Sequence, residues 1–164
     1  MIDPNLTMLE VYGIAIKSEV DAAAAYSGIG KRVRNQALKK KLLFLKNEEV
    51  KHRKLLTTRY GEQFPDIKLM LPKQGLAPKL NIALEKNAPI AKLFELAIDA
   101  EHRSEDFYGQ AAKLAKDQTG KNLLTYLSGM ERGHYFILKA EYDLMQQFDK
   151  FESYKKFSLE HLGP

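Results

Sequence analysis

Two short segments of this chain set a glutamate three residues before a histidine: Glu49-Val50-Lys51-His52 and Glu131-Arg132-Gly133-His134. Another glutamate stands 30 residues before each, Glu19 and Glu101, and a tyrosine follows each of these by seven residues, Tyr26 and Tyr108. Every member of the first set recurs 82 residues later in the second. A register kept at four separate points is the mark of a duplicated half. On a helix, residues i and i+3 share a face, so the glutamate and histidine of each pair can reach one ion. Mixed carboxylate and imidazole ligation suits redox-active iron or manganese. Four glutamates and two histidines in this arrangement are what a two-metal site inside a four-helix bundle requires.

The same residues lie on apolar stripes. Glu19 falls in register with Tyr12, Ala15, Ile16 and Tyr26, and Glu49 and His52 with Leu38, Leu42, Leu45 and Leu56. Glu101 shares a face with Phe94, Ala97 and Ala112, and Glu131 and His134 with Leu124, Leu127 and Leu138. Glutamate is almost never fully buried unless paired or metal-bound, because desolvating a carboxylate costs several kcal/mol. One buried glutamate can be a satisfied structural acid. Four at the middles of four helices need a cation.

Those helices are legible from their ends. Thr7-Met8-Leu9-Glu10 is a capping-box pattern that starts a helix near Met8. Asn35 caps a second helix expected to end at Gly61, Pro89 opens a third, and Thr119-Gly120 a fourth. Folding each pair antiparallel places the turn midway between Glu19 and Glu49, at Arg34-Asn35, and between Glu101 and Glu131, at Lys116-Asp117. Each upstream glutamate then comes level with its Glu-x-x-His. Residues 62–88, with Pro65, Pro72 and Pro78 and a short helix around Lys79–Glu85, are too long for a local turn. They suit the single long crossover of ferritin-like folds, or an exchange of halves between two chains. Phe151, Tyr154 and Phe157 mark a short C-terminal helix. The expected fold is all-α: an antiparallel four-helix bundle in one domain over 1–164, with pseudo-repeats at about 7–60 and 89–142.

Composition excludes several alternatives. There is no cysteine, so disulfides, iron–sulfur ligation and Cys-based metal sites are ruled out. No segment approaches the ~20 apolar residues of a membrane span, and the first residues show neither a basic nor an apolar leader region, which points to the cytoplasm. The net charge is +5, with Lys31, Arg32, Arg34 and Lys39–Lys41 clustered at the first helix–helix turn. That cluster reads as a solvated surface, or as a docking patch for an acidic protein. No aromatic interleaving or nucleic-acid motif accompanies it, so a nucleic-acid partner is not expected. His102 and His161 lack a counterpart in the other half and read as surface residues.

Glu19, Glu49-x-x-His52, Glu101 and Glu131-x-x-His134, with Tyr26 and Tyr108, resemble the rubrerythrin (erythrin) branch of the ferritin-like di-iron carboxylate proteins over about residues 7–147. The resemblance implies two iron ions, with manganese or zinc able to occupy the same site in a preparation. Glu49 and Glu131 would bridge them, Glu19 with His52 would complete one shell, and Glu101 with His134 the other. It implies that Tyr26 and Tyr108 donate hydrogen bonds to the ligating carboxylates. It also implies reduction of hydrogen peroxide or dioxygen, and a homodimer. Two departures stand out. Many rubrerythrins carry a four-cysteine rubredoxin domain, which this cysteine-free sequence cannot supply, so electrons must come from a separate rubredoxin-like protein. Rubrerythrins proper also have a further glutamate three residues after the third-helix ligand, where this chain has Ser104; Glu105 lies one residue on, about 100° round the helix.

Two function classes follow. The first is a di-iron oxidoreductase with an external electron donor. The second is an iron-sequestering, ferroxidase-like binding protein. Hydroxylation of an organic substrate is a third, weaker option. Small residues near the ligands (Ala22, Ala23, Ala100, Ser104, Gly129, Gly133) leave room for a small oxidant. The two mid-helix glycines each cost roughly 1 kcal/mol relative to alanine, which close packing beside the metals, oxidant access or a π-bulge would explain.

Overall fold

The computed structural model describes residues 3–161, with side chains described for 3–149. Five helices follow one another: α1 (Met8–Arg32), α2 (Gln36–Gln63), α3 (Pro78–Glu85), α4 (Ile90–Leu114) and α5 (Gln118–His161). The fold is all-α and ferritin-like. The start of α1 is set by the complete capping box: Glu10 N–H donates to Thr7 Oγ1, and Thr7 N–H donates back to Glu10. Asn35 Oδ1 accepts from Leu38 N–H at 3.0 Å and starts α2. Such a cap contributes about 1 kcal/mol. Asn35→Ala should therefore lower the unfolding free energy by about that amount, read as a lower urea midpoint with an unchanged denaturant slope.

α1 packs antiparallel on α2, and α4 on α5. The ends of α2 and α5 differ from expectation. α2 runs past Gly61 to Gln63 and stops at Phe64, because Phe64 precedes Pro65 and a residue before proline is pushed out of helical geometry. α5 continues unbroken to His161, so the separate short C-terminal helix is instead the last part of a 44-residue helix. No glycine or proline stands between Gly133 and Gly163 to break it. The side chains of Phe151, Tyr154, Phe157 and His161 lie outside the described residues.

The crossover runs alongside α1 in the same direction. Gly13 approaches Met70, Gly75 approaches Ser18, and Gly28 approaches Leu84. It ends where Asn87 takes a left-handed backbone (φ 56°), which asparagine tolerates, and where Arg32 donates to the Ala88 carbonyl. Part of the basic cluster thus fastens the crossover to α1.

The apolar interior is split in two. One cluster gathers Tyr26, Ile29, Leu42, Leu45, Phe94 and Leu138. The other gathers Tyr12, Ile16, Leu56, Tyr108, Leu124 and Leu127. Between them sits a polar layer of Glu19, Glu49, His52, Glu101, Glu131 and His134. No helix among the described residues is long and apolar enough to cross a membrane.

Candidate metal centre

The four long helices carry these six side chains to one point. No one of these residues is more than 2% exposed. His52 Nδ1 lies 3.2 Å from Glu49, 3.1 Å from Glu131 and 3.6 Å from Glu19. His134 Nδ1 lies 2.9 Å from Glu49, 3.6 Å from Glu101 and 3.9 Å from Glu131. Glu49 and Glu131 therefore approach both histidines, while Glu19 approaches His52 and Glu101 approaches His134. Glu49, His52, Glu131 and His134 each offer one ligand atom, all within 4.8 Å of one another, and could hold a metal ion. The two imidazoles stack with centroids 5.4 Å apart.

The polar atoms here are not satisfied by one another. Glu49 Oε1, Glu101 Oε2, Glu131 Oε1 and His134 Nδ1 are buried without a hydrogen-bond partner. Glu49 Oε1 and His134 Nδ1 are 2.9 Å apart, yet lack the alignment of a hydrogen bond. Leaving a buried polar group unpaired costs about 1–3 kcal/mol. Orphaned oxygen and nitrogen lone pairs converging on a common centre are the arrangement that a cation completes, so the donor set fits a pair of metal ions.

The tyrosines act across the halves. Tyr26 on α1 donates its hydroxyl to Glu101 on α4, and Tyr108 on α4 donates to Glu19 on α1. Burial, and then the nearby Glu19 charge, push the Tyr108 phenol well above its ordinary range, so it stays protonated and a donor. Tyr26→Phe and Tyr108→Phe should each destabilise the metal-free protein by about 1–3 kcal/mol, since each leaves a buried carboxylate oxygen without its donor. Chemical denaturation reads the loss; a tyrosine acting as simple core filling would lose far less.

Electrostatics explains how the site can exist without a cation. Burial, and then the charge of Glu49, push Glu19 well above the usual carboxylate range. Burial, and then the charge of Glu101, do the same to Glu131. Burial would also raise Glu49, but Glu19, His134 and His52 close around it hold it below its ordinary value. Burial alone would lower His134; the Glu101 and Glu49 carboxylates beside it raise it to about 10. Protons held by Glu19, Glu131 and His134 thus offset part of the buried negative charge.

The surroundings redistribute the remaining candidates. Ala22, Ala100 and Ser104 line a small cavity beside Glu101 and Tyr26. Glu105 does not join them; it faces outward, 3.6 Å from His102 and 3.9 Å from Arg132. His102 is exposed, as expected. Gly129 and Gly133 do not pack beside the site: both are exposed, and a Cβ added at either meets nothing within 4 Å. Their positions on the outer face of α5 follow from Glu131 and His134 pointing inward. Three polar residues of the cavity wall, Ser18, Asp21 and Asn81, belong to no motif. Only the path of the crossover brings Asn81 there.

A ferritin-like bundle with a buried layer of four glutamates and two histidines defines a carboxylate–histidine metalloprotein, and the four-residue cluster suggests a di-metal site. A family model described as Rubrerythrin matches residues 10–142, and the chain belongs to the rubrerythrin family. A solved structure of a hypothetical protein from Pyrococcus furiosus is similar to it, with a TM-score of 0.77 and 32% identity, covering 88% of this chain and 93% of that one. No curated protein matches the chain. With no cysteine in its sequence, the chain cannot form a rubredoxin-type iron site.

Proposed function

We propose that the protein is a cytoplasmic di-iron oxidoreductase that reduces hydrogen peroxide, or dioxygen, with electrons from an external redox protein. The observation that carries this reading is the convergence of orphaned carboxylate and imidazole atoms at the bundle centre. Glu49 and Glu131, each near both histidines, are assigned as bridges. Glu19 with His52, and Glu101 with His134, complete the two shells. Two Fe(II) ions, when bound, can supply one electron each; with two protons these convert hydrogen peroxide to two waters. The chain's part is to hold ligands in place, through the crossed Tyr26 and Tyr108 hydrogen bonds, and to keep bulk water from the centre. The cavity beside Glu101, about 20 Å³, suits a small oxidant.

A homodimer belongs to the same reading. Phe44 and Phe136 are about half exposed and border one groove between α2 and α5 with Ile137, apolar surface that pairing of two copies would cover.

The second reading is a ferroxidase-like, iron-sequestering protein, favoured by Ser104 where the family has its additional glutamate. Stopped-flow oxidation of the di-ferrous protein separates them. Peroxide should react at least about ten-fold faster than dioxygen, a barrier difference of roughly 1.4 kcal/mol. Turnover should then require an added reductase. Faster reaction with dioxygen, with iron retained in large assemblies, would establish the second reading instead.

A further inference from the structure

The crossover encloses a cavity of about 20 Å³ between α1, α3 and α4. One water needs ~10–15 Å³ and two to four polar partners, so this space takes a single water-sized molecule. Its walls meet the second requirement. Asp21 comes from α1, Asn81 from α3, and Ser104 and Glu101 from α4. Glu101 joins this wall to the carboxylate centre, its Oε2 lying 3.6 Å from His134 Nδ1. The floor is kept open by small side chains, Ala22 and Ala100.

The roof is the crossover, pinned to α1 by two hydrogen bonds. Leu76 N–H donates to Ser18 Oγ at 3.0 Å, and Gly75 N–H donates to Asp21 at 3.2 Å. The chain passes so close that a Cβ at Gly75 would stand 2.9 Å from Ser18 Cα. A glycine is the residue that lets this segment seal against the helix. On another side of the bundle, a wider cleft of about 560 Å³ on α2 and α5 reaches His52, bordered by Leu55 and Tyr126.

We propose that the chamber roofed by residues 75–81 is the port through which water-sized, hydrogen-bonding molecules reach the carboxylate centre, with Asn81 and Ser104 as positioning residues. The wider cleft at His52 is the rival entrance. At Ser104 the additional family glutamate would occupy this space; here serine leaves it open to a guest. The inference rests on the reading of the centre as a metal site, though not on its reactivity towards peroxide.

The test uses the full chain loaded with manganese(II), and water itself as the probe. Paramagnetic enhancement of solvent proton relaxation reports water exchanging with the metal environment and needs no redox turnover. Ser104→Leu and Asn81→Leu, which fill the chamber, should each reduce the exchanging-water contribution about five-fold or more at equal manganese content, because no space for a water remains. Asn81 sits on the short α3, outside the main core, so this variant keeps the test readable if Ser104→Leu fails to fold. Leu55→Trp, which narrows the wider cleft, should leave the relaxation unchanged. Gly75→Ala, which props up the roof, should raise the exchange rate. Full relaxation enhancement in both chamber-filling variants, or its loss in Leu55→Trp, overturns the proposal. Absence of manganese binding by the wild-type chain would instead defeat the underlying metal-site reading. Slow peroxide chemistry in a protein that passes the relaxation test leaves the port standing and counts against the reaction alone.

Discussion

Glu49→Ala and Glu131→Ala are each expected to drop metal content from two ions per chain to fewer than one, while Glu105→Ala keeps two. Each of the first two carboxylates lies within 4 Å of both histidines, so either truncation removes an oxygen shared by both metal positions. It also exposes the remaining charges to each other in a site that is almost wholly shielded from water. Truncating one partner of a buried charged network costs about 3–5 kcal/mol, which corresponds to roughly two to four orders of magnitude in affinity. Glu105 faces His102 and Arg132 on the outside and serves as the control. Elemental analysis after desalting decides the matter. Full loading in both bridging variants would sink the ligand assignment.

Removing metal should destabilise the fold, and more so as pH rises. Ions that bind only the folded chain, at concentrations near 100 times Kd, each add about 2.7 kcal/mol. For a chain of this size 1 kcal/mol corresponds to roughly 2–4 °C, so chelation should lower Tm by about 10–20 °C. The pH dependence follows from the proton-holding groups. Glu19 and Glu131 keep their protons in the folded, metal-free protein above the pH at which the unfolded chain releases them. Stability of the metal-free form therefore falls from about pH 4.5 upward until those two groups ionise. His134, raised from 6.5 to about 10, adds stability that is fully present below pH 6.5 and is lost as pH rises to about 10. Glu49 acts in the opposite sense, but its contribution is complete above pH 4.5 and disappears only on acidification. Metal displaces the protons from the raised groups, so its binding strengthens over the same range in which the metal-free fold weakens. Melting curves at pH 5.5 and pH 8, with and without chelator, should show a wider gap at pH 8. Equal gaps at both pH values, after verified metal removal, would mean that the buried acids are not the metal's ligands.

The buried glutamates and histidines, and the helices that carry them, were legible before any tertiary contact was known. Local rules suffice for both. The Glu-x-x-His spacing puts two side chains on one helical face, and the caps at Thr7 and Asn35 are chemistry within one turn of chain. The positions of the turns followed from the requirement that four buried carboxylates share a cation. The ends of α2 and α5 were less legible, because a helix stops where its backbone is obstructed: Gly61 merely permits an end, whereas Pro65 enforces one, and α5 meets no obstruction before His161. Other features depend on which elements become neighbours. The pairing of Tyr26 with Glu101 and of Tyr108 with Glu19 arises because α1 and α4 run antiparallel, so each tyrosine reaches the opposite half. Gly129 and Gly133 turn outward because Glu131 and His134 turn in. The chamber at Ser104 exists because a crossover without regular periodicity lies along α1 and brings Asn81 over Glu101. Periodicity records which face of a helix is buried; only tertiary packing decides what that face meets.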